Sequence, residues 1–529
     1  DASTVGLAAI VQRAIRVAVL GLILFVGLVG LAGHGFTLLP TGFVPQEDEG
    51  YCVVNVQLPD GASQERTSRV VDFANEMIMD VPGVKDSLGI TGFSLIDNSA
   101  GSNKASFFVT FEHWDDRPTA ELSQQAIVAN INQRVAAIQE AAAIGFEPPS
   151  LPGVGMAGGF SLALQDRGGS GLGMLEQVTN DFVIDGVAQP TIAGMFTGFR
   201  SNTPQLFIDI DREQVRKLDV PLSDVFGSLQ AYLGSAYVND FTRFGRIYQV
   251  RVQADASFRA SPEDIRQLEV RSRRGKMIPL NTLFEVREVL GPQVVNHHNI
   301  YPSAKINGFT VPGVSSGDGM SLVRSIAAQK LPPTMGYEWT DLSYQEDLAS
   351  GSTAIIFLFS ILLVYLVLAA QYESWSLPLS VCFAVPTALL GAVAAVMLRD
   401  LDNNVYTQIG IVLLIGLSSK TAILIVEFAK VERDEGKSIA EAAIQATKLR
   451  FRAVLMTAFS FILGMLPLLV ATGAGGASRQ ALGTTVFGGM VVATVVSVVT
   501  VPMLYFVIQW ISEKLGGGRS RPDEPISDA

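Results

Sequence analysis

Six long apolar runs are the feature of this sequence that most restricts its fold. Each has about 20 residues, the length that an α-helix needs to cross a hydrocarbon core of about 30 Å. The runs occupy residues 15–34, 351–371, 375–398, 405–429, 453–473 and 484–510. Charged residues make up only 17% of the 529-residue chain, against about 25% in soluble domains. We therefore predict one membrane span, a large region of ordinary polarity between about 35 and 350, and then five spans.

Lysine and arginine residues indicate which side of the membrane each connection faces. They precede the first run, crowd the connection after the fourth run and follow the last run: Arg13, Arg16, Lys430, Arg433, Lys437, Lys448, Arg450, Arg452, Lys514, Arg519 and Arg521. If every run spans, these regions share one side, which the positive-inside rule makes cytoplasmic. Region 35–350 then faces the periplasm in a Gram-negative cell. We interpret the first run as an uncleaved span because no small-residue cleavage site follows it.

Alternating and helical patterns divide the soluble region into two α+β units. The first has predicted strands at 50–58, 83–91, 104–112 and 142–147 and helices at 62–80 and 119–140. This βαββαβ order is that of the ferredoxin-like split βαβ unit. The second unit has a strand at 159–165, a helix at 171–188 and strands at 194–199 and 204–210, and it is completed by a strand, a helix and a strand at 301–310, 316–330 and 335–340. Residues 211–300 are therefore predicted to be an insertion, with a hairpin near 237–253.

The predicted fold class is an α-helical membrane bundle of six helices with a large periplasmic α+β region. That region comprises two ferredoxin-like units and one inserted subdomain. The predicted boundaries are 1–34 for a cytoplasmic lead-in and the first span, 35–155 for the first α+β unit, 156–210 with 301–345 for the second, 211–300 for the insertion, 346–511 for five spans, and 512–529 for a cytoplasmic tail.

Composition and motifs argue against several classes of function. The formal net charge of −12 gives no basic surface for nucleic acid. The two cysteines, Cys52 and Cys382, are too few for a disulfide framework or a cysteine-rich metal site. A phosphate loop ending at Ser438 would need a glycine at the position of Val431, so the ATPase hypothesis fails. We find no catalytic, cofactor or metal site, and a proton-coupled or ion-coupled carrier remains.

Lys420 lies near the middle of the fourth apolar run. A central lysine costs about 2.5–3.5 kcal/mol on insertion scales, so it should face protein or water and pair with an acid. Glu427 is about 10 Å further along the helix, too far for a direct pair, and the other spans carry no Asp or Glu near their middle. Either Lys420 is neutral or its acidic partner lies on another polypeptide. Thr457 can serve as a packing hydroxyl, and Arg450 as a positive-inside anchor.

Several long motifs resemble the resistance-nodulation-division transporters. In chain order they are LPTGFVPQEDEG at 39–50, YVNDF at 237–241, YESWS at 372–376, GLSSKTAILIVEFA at 416–429 and MTAFSFILG at 456–464. The resemblance covers essentially the whole chain, and it is closest to the hydrophobe/amphiphile efflux subfamily. Members of this family have twelve spans in two similar halves. The chain, which begins at Asp1 shortly before what would be the seventh span, is similar to the second half only.

The resemblance implies a proton antiporter without a cofactor, driven by the proton-motive force. It implies that Lys420, Thr457 and Arg450 form a proton relay with an acidic pair on a missing N-terminal half. Serine and threonine flank this lysine where the family usually has alanine and asparagine, a change that leaves the lysine role intact. The family further implies an inner-membrane homotrimer, a periplasmic adaptor, an outer-membrane channel and small amphiphilic substrates. The α+β units resemble porter subdomains, and residues 211–300 resemble a funnel or docking region.

The same resemblance implies a substrate pocket in the soluble region. Residues that match the deep pocket and switch loop are Phe93, Leu95 and Phe108, and those that match the access pocket are Asn55, Gln57, Phe146 and Arg200. Leu95 stands at an aromatic position, which should weaken stacking with flat drugs. At Lys305 the multidrug pumps carry an acid, which puts a preference for cationic drugs in doubt. The alternative for each residue is ordinary packing, because Phe107 and Phe108 must point to opposite faces of a strand.

Two other functions are compatible with the sequence. The chain could be a non-transporting assembly or regulatory subunit that has kept the fold, which stable assembly without a partner half would favour. It could also be a heavy-metal efflux pump, although no Met or His cluster stands out in the spans.

Overall fold

The computed structural model describes residues 2–96, 98–351 and 353–515. The predicted tail at 512–529, with Arg519 and Arg521, lies mostly outside the described residues. The chain begins with helices α1 (Ala2–Arg16) and α2 (Ala18–Leu38). Six helical segments in the described residues are long and apolar enough to cross a membrane, as predicted: Ala18–Leu38, Ile355–Tyr372, Leu377–Leu398, Val405–Asp434, Ile439–Leu469 and Gly476–Lys514. The first begins later than the predicted run at 15–34 because a break at Val17 separates it from α1.

The first α+β unit has the predicted βαββαβ order. Its elements are β1 (Tyr51–Gln57), α3 (Gln64–Met79), β2 (Val84–Ser94), β3 (Ser99–Phe111), α4 (Gln124–Val135) and β4 (Ala142–Phe146). They form an antiparallel sheet in the order β2-β3-β1-β4. Helix α4 is shorter than the predicted 119–140 because the Ser123 hydroxyl caps it by accepting from the amide of Ala126. One sheet face packs on α3 and α4 through Val54, Phe107 and other apolar residues.

The second α+β unit is assembled from two separate parts of the chain. Its elements are β5 (Phe160–Asp166), α5 (Leu172–Val187), β6 (Ile192–Thr197), β13 (Asn296–His298), β14 (Tyr301–Thr310), α9 (Ser316–Lys330) and β15 (Met335–Trp339). Strand β14 pairs with both β5 and β6, and β15 pairs with β5, all antiparallel. The four main strands therefore follow the same order as the first sheet.

The inserted region is a compact unit of its own, Arg200–Val295. Its elements are β7 (Thr203–Ile210), α6 (Arg212–Lys217), α7 (Leu222–Leu229), β8 (Ala236–Arg243), β9 (Arg246–Val252), α8 (Pro262–Gln267), β10 (Glu269–Arg271), β11 (Met277–Pro279) and β12 (Phe284–Gly291). Residues 204–210 do form a strand, but assigning it to the second α+β unit was wrong, because β7 pairs with β12. The insertion thus begins at Arg200 and not at 211. Val225 and Leu280 lie in its separate apolar core.

The remaining helices follow the second α+β unit. They are α10 (Asp341–Ser350), α11 (Thr353–Tyr372), α12 (Leu377–Cys382), α13 (Val385–Leu398), α14 (Val405–Asp434), α15 (Ile439–Leu469) and α16 (Gly476–Leu515). The predicted run at 375–398 is split, and Pro386, which cannot donate a helical hydrogen bond, follows the break. Helix α15 begins before the predicted 453 because Ser438 and Glu441 form a capping box. The basic residues at 448, 450 and 452 therefore lie in α15, and the connection is only 435–438.

Helix α16 packs against α13, α14 and α15. Its approach to α13 is close, because a Cβ atom on Gly391 would lie 2.5 Å from the carbonyl oxygen of Gly488. At the other end, the Arg433 guanidinium of α14 makes two hydrogen bonds, of 3.1 and 2.8 Å, to the Glu513 carboxylate of α16. The α14–α16 contact is thus tied at the end that we predict to be cytoplasmic.

Candidate functional site

One side of α14 is open while the rest of the helix is packed. Asn404 caps the helix by accepting from the amide of Thr407, at 3.0 Å. The open side, which we call the Lys420 stripe, consists of Ile409, Leu413, Gly416, Lys420, Glu427 and Val431. These residues are spaced by three, four or seven positions, so they form one continuous line on the helix. The structure therefore puts a lysine in the middle of an otherwise largely apolar, uncovered helix face.

The Lys420 ammonium has an aromatic neighbour but no anionic partner in the part of the chain that the structure describes. Its Nζ lies 5.8 Å from the ring centroid of Phe461 on α15, within reach of a cation–π interaction. Within the described ranges, no acidic side chain forms an ion pair with Lys420. Glu427 lies on the same stripe but is also exposed. Seven residues, or about 10 Å along the helix, separate it from Lys420, so the one acid of the stripe does not pair directly with the lysine.

Thr457 and Phe461 are four residues apart on α15, so both face the same side of that helix. The Thr457 hydroxyl donates to the carbonyl of Val454, at 3.0 Å, within its own helix. Thr457 lies about five turns after Ile439, the first residue of α15. The structure brings the helix face of Thr457 next to Lys420 through the Phe461 contact.

Arg450 lies seven residues before Thr457, and so about two turns away on the same face of α15. Its guanidinium carbon is 3.4 Å from the ring centroid of Phe428 on α14. Its Nε atom is buried and has no hydrogen-bond partner among the described residues. Arg452, by contrast, is exposed. Arg450 therefore packs between the two helices, whereas Arg452 has the exposure expected of a simple anchor.

Four of the predicted pocket residues, Asn55, Gln57, Phe108 and Phe146, lie on the sheet face of the first α+β unit that is turned away from α3 and α4. Phe107 is fully buried in the core, and Phe108 lies on the opposite face, as the alternation requires. Phe108, Leu95 and Phe146 belong to one apolar cluster with Val53, Ile96, Phe196 and Phe309. We call this the aromatic cluster. Phe146 is only 2% exposed, whereas Phe108, Phe196 and Phe309 are partly buried.

Three predicted residues border this cluster without joining it. Phe93 is half-buried beside a bulge in the β2–β3 hairpin. The Asn55 side-chain oxygen accepts hydrogen bonds from the hydroxyls of Ser94 and Ser106, at 3.1 and 3.4 Å. The Gln57 amide donates to the carbonyl of Leu58, at 3.3 Å. Asn55 and Gln57 are thus held on the same sheet face as the cluster.

Arg200 belongs to the inserted unit, whereas the other six predicted pocket residues lie in the first α+β unit. Lys305 forms an ion pair with an acidic side chain. Its Nζ lies 2.7 Å from an Asp341 carboxylate oxygen, so the lysine is neutralised locally. Asp341 has a positive φ of 53°, a conformation that is uncommon for residues other than glycine.

Two aromatic residues of the cluster were missed in the sequence. The ring centroids of Phe146 and Phe196 are 6.2 Å apart, and those of Phe196 and Phe309 are 5.9 Å apart. Phe196 lies on β6 and Phe309 on β14, so the cluster joins the two α+β units. The strand positions of both residues were predicted, but the contact appears only when the two sheets meet.

Two partly buried carboxyl groups lie outside the spans. Burial raises the pKa of Glu147, at the end of the first unit, to about 7. Burial likewise raises the pKa of Glu346 on α10 to about 7, although its hydrogen bond from the Ser316 hydroxyl, at 2.9 Å, acts in the opposite direction. Both groups therefore titrate near neutral pH.

Comparison with known proteins shows which family the chain resembles. A family model described as the AcrB/AcrD/AcrF family matches residues 1–509. The multidrug export protein AcrF of Escherichia coli K12 is 38% identical over 478 residues, which is 90% of this chain and 46% of that relative. The toluene efflux pump membrane transporter TtgB of Pseudomonas putida is 37% identical over 488 residues, 92% of this chain and 46% of that relative.

The multidrug resistance protein MdtF of Escherichia coli K12 is 37% identical over 481 residues, 90% of this chain and 46% of that relative. The chain thus spans about half the length of the curated relatives that it matches. The family match includes the first five apolar helices, most of the sixth, both α+β units and the Lys420 stripe. The chain therefore belongs to the AcrB/AcrD/AcrF family of resistance-nodulation-division efflux transporters.

Proposed function

We propose that this chain is the second half of a proton-driven efflux pump in the inner membrane, which exports amphiphilic and hydrophobic compounds. The observation that carries the proposal is Lys420, a lysine near mid-span without an acidic partner in the described part of the chain. An ammonium group at that depth is stable only when another group compensates it. The proton-motive force, and not a bound cofactor, would supply the energy.

The compensating group would be an acidic pair on a first half with six further spans. The chain spans about half the length of its relatives, and this observation supports the existence of such a first half. While the acids are ionised they would attract Lys420, and protonation would remove that attraction. Helix α14 would then shift, and Thr457 and Arg450, which share one face of α15, would complete the proton path from the periplasm to the cytoplasm.

The soluble region would lie in the periplasm. We propose that both α+β units are ferredoxin-like porter subdomains, which the shared strand order of their sheets supports. The inserted unit, Arg200–Val295, would serve as the docking subdomain. In this arrangement the pump would be a homotrimer that works with a periplasmic adaptor and an outer-membrane channel.

Substrates would enter between the two α+β units and displace the aromatic cluster. The cluster is apolar, and the charge of the nearby Lys305 is balanced by Asp341. These features favour neutral or amphiphilic compounds, in keeping with the solvent and multidrug exporters among the relatives. The walls of the substrate pocket would be formed by Phe93, Leu95, Phe108 and Phe146. The outer part of the pocket would be lined by Asn55, Gln57 and Arg200.

The test is export of a fluorescent dye by the complete pump in cells that lack other efflux systems. Lys420→Ala should abolish export at equal membrane abundance, whereas Lys448→Ala, which changes an exposed lysine of α15, should leave it intact. Unchanged export by Lys420→Ala would refute the relay role. Stable assembly of the wild-type protein without any export would instead favour an assembly or regulatory subunit, and metal tolerance without dye export would favour a metal pump.

A further inference from the structure

The segment that follows α2 is fastened to the first α+β unit at several points. The Asp48 carboxylate makes two hydrogen bonds, of 3.0 and 3.1 Å, to the guanidinium of Arg117, whose side chain is only 2% exposed. The Gln124 side chain bonds both the carbonyl of Glu47, at 3.0 Å, and the amide of Glu49, at 3.1 Å. The backbone of residues 47–49 is therefore held as part of the first α+β unit.

The Glu47 side chain projects from this fixed backbone to the beginning of α16. Its carboxylate accepts hydrogen bonds from the amides of Ala477, at 3.0 Å, and Ser478, at 2.7 Å, and also from the Ser478 hydroxyl. Glu47 is only 5% exposed. The first amides of a helix have no partner within the helix, and the helix dipole favours a negative charge there. Because α16 has no acidic residue of its own in its first turn, Glu47 supplies that charge from 430 positions earlier.

A second contact joins the same two parts of the protein. The indole nitrogen of Trp114 donates to the carbonyl of Asp48, at 3.2 Å. Its ring also faces the α15–α16 loop, where a Cβ atom on Gly473 would lie 3.7 Å from it. Gly473 has a positive φ of 79°, so the loop can turn tightly beneath the ring. The first α+β unit thus touches α16 through a buried charge and the preceding loop through an aromatic ring.

These contacts extend towards residues 148–159, a Pro- and Gly-rich segment between the two α+β units that we call the hinge. Gln46 donates a hydrogen bond from its amide to the Glu147 carboxylate, and the carbonyl of Glu147 accepts from the amide of Gly158. Helix α16 in turn packs against α14, which carries Lys420. A continuous set of contacts therefore runs from α14 through α16 and Glu47 to residues 148–159.

We propose that Glu47 is a positioning residue that transmits displacement of α16 to the first α+β unit during transport. This inference rests on the proposed export function. A movement of α14 changes the packing of α16, and the buried carboxylate carries the shift of the helix end to the hinge at 148–159. Without the carboxylate, α16 can move while the α+β unit stays behind.

The first experiment measures dye export by the complete pump over a range of dye concentrations. Glu47→Ala should lower the maximal rate about tenfold, in line with the loss of charge-assisted hydrogen bonds, with little change in the half-saturating concentration. Glu47→Gln, which keeps an acceptor oxygen but no charge, should give a smaller loss. Glu49→Gln is the matched control, because the Glu49 side chain makes no hydrogen bond or ion pair within the described residues. A wild-type maximal rate in Glu47→Ala overturns the proposal.

The second experiment does not depend on export. Hydrogen exchange of residues 148–159 is measured in the purified pump for wild type, Lys420→Ala, Glu47→Ala and the double variant, which forms a double-mutant cycle. Lys420→Ala should change the exchange rate of this hinge several-fold when Glu47 is present and much less when it is absent. An equal change in both backgrounds, or no change in either, overturns the proposal. If the effect of Lys420→Ala on exchange depends on Glu47 but the pump exports no dye, the mechanical role of Glu47 is supported and the proposed export function is rejected.

Discussion

Replacing Glu147 with glutamine tests how much the ionised form of this buried carboxyl lowers the stability of the protein. Glu147 bonds Gln46 in the segment that connects α2 to the first α+β unit. Burial raises the pKa of this carboxyl from 4.5 to about 7. Each unit of such a shift corresponds to about 1.4 kcal/mol, so the upper bound on the cost of the charged form is about 3.5 kcal/mol. Glu147 keeps part of its surface in contact with water, and we therefore expect about 2 kcal/mol.

The sign follows from comparing the two states. Between pH 4.5 and 7 the carboxyl is ionised in the unfolded chain but protonated in the folded protein, so the unfolded state binds fewer protons and stability falls as pH rises. Below this window Glu147 has no effect, and above it the cost stays constant. Glu147→Gln should therefore match wild type at pH 4 and be more stable by about 2 kcal/mol at pH 8. The Gln46 amide can still donate to the new side chain.

The measurement is the difference in thermal unfolding midpoint between variant and wild type in detergent, at intervals from pH 4 to pH 8. Glu346 titrates in the same direction, but its contribution is common to both proteins and cancels in the difference. Glu121→Gln serves as the control, because Glu121 is exposed in the same unit. A difference that does not grow with pH, or one that favours wild type at pH 8, would refute the reasoning.

Two further predictions concern packing. Phe107→Ala should lower the free energy of unfolding by about 3–5 kcal/mol because it empties a buried core position. Phe108→Ala, on the other face of the strand, should change the range of exported dyes with a much smaller fall in the thermal midpoint, and equal effects on stability would contradict this assignment. Gly391→Ala should reduce the folded fraction seen by size-exclusion chromatography, because its Cβ would lie 2.5 Å from the Gly488 carbonyl. Gly464→Ala, with no neighbouring atom within 4 Å, is the control, and equal yields would count against close α13–α16 packing.

The sequence predicted the elements of this fold better than their partners. The length and low polarity of the apolar runs were sufficient to predict the six spans. The alternation of apolar and polar residues, with the helical patterns between, was sufficient to predict the βαββαβ order of the first unit. Residues 204–210 were correctly predicted as a strand, but local alternation carries no information about pairing with β12. The basic residues of α15 were assigned to a connection because hydropathy detects where lipid ends, whereas the Ser438–Glu441 capping box determines where the helix begins.

The candidate site could be predicted where a single residue differs sharply in polarity from its neighbours in the sequence. Lys420 stands out because a charge in an apolar run is costly. The other spans carry no Asp or Glu near their middle, which predicted that no acid of the described residues would pair with it. Phe196 and Phe309 are unremarkable on their own strands and acquire a role only when two sheets meet. Glu47 lies in a recognisable motif, but its partner is 430 positions away, and no local pattern records such a distance.

Helix α16 has 40 residues, which at 1.5 Å per residue gives a length of about 60 Å, twice the thickness of a hydrocarbon core. One end is bound to Glu47 and the other, through Glu513, to Arg433. Such a helix cannot slide past its neighbours to match the surrounding lipid, so a change in bilayer thickness must be met by tilting or bending of the helix or by deformation of the bilayer. The protein should therefore be sensitive to acyl-chain length, and Pro502 is the point within α16 where a thicker or thinner membrane would bend the helix.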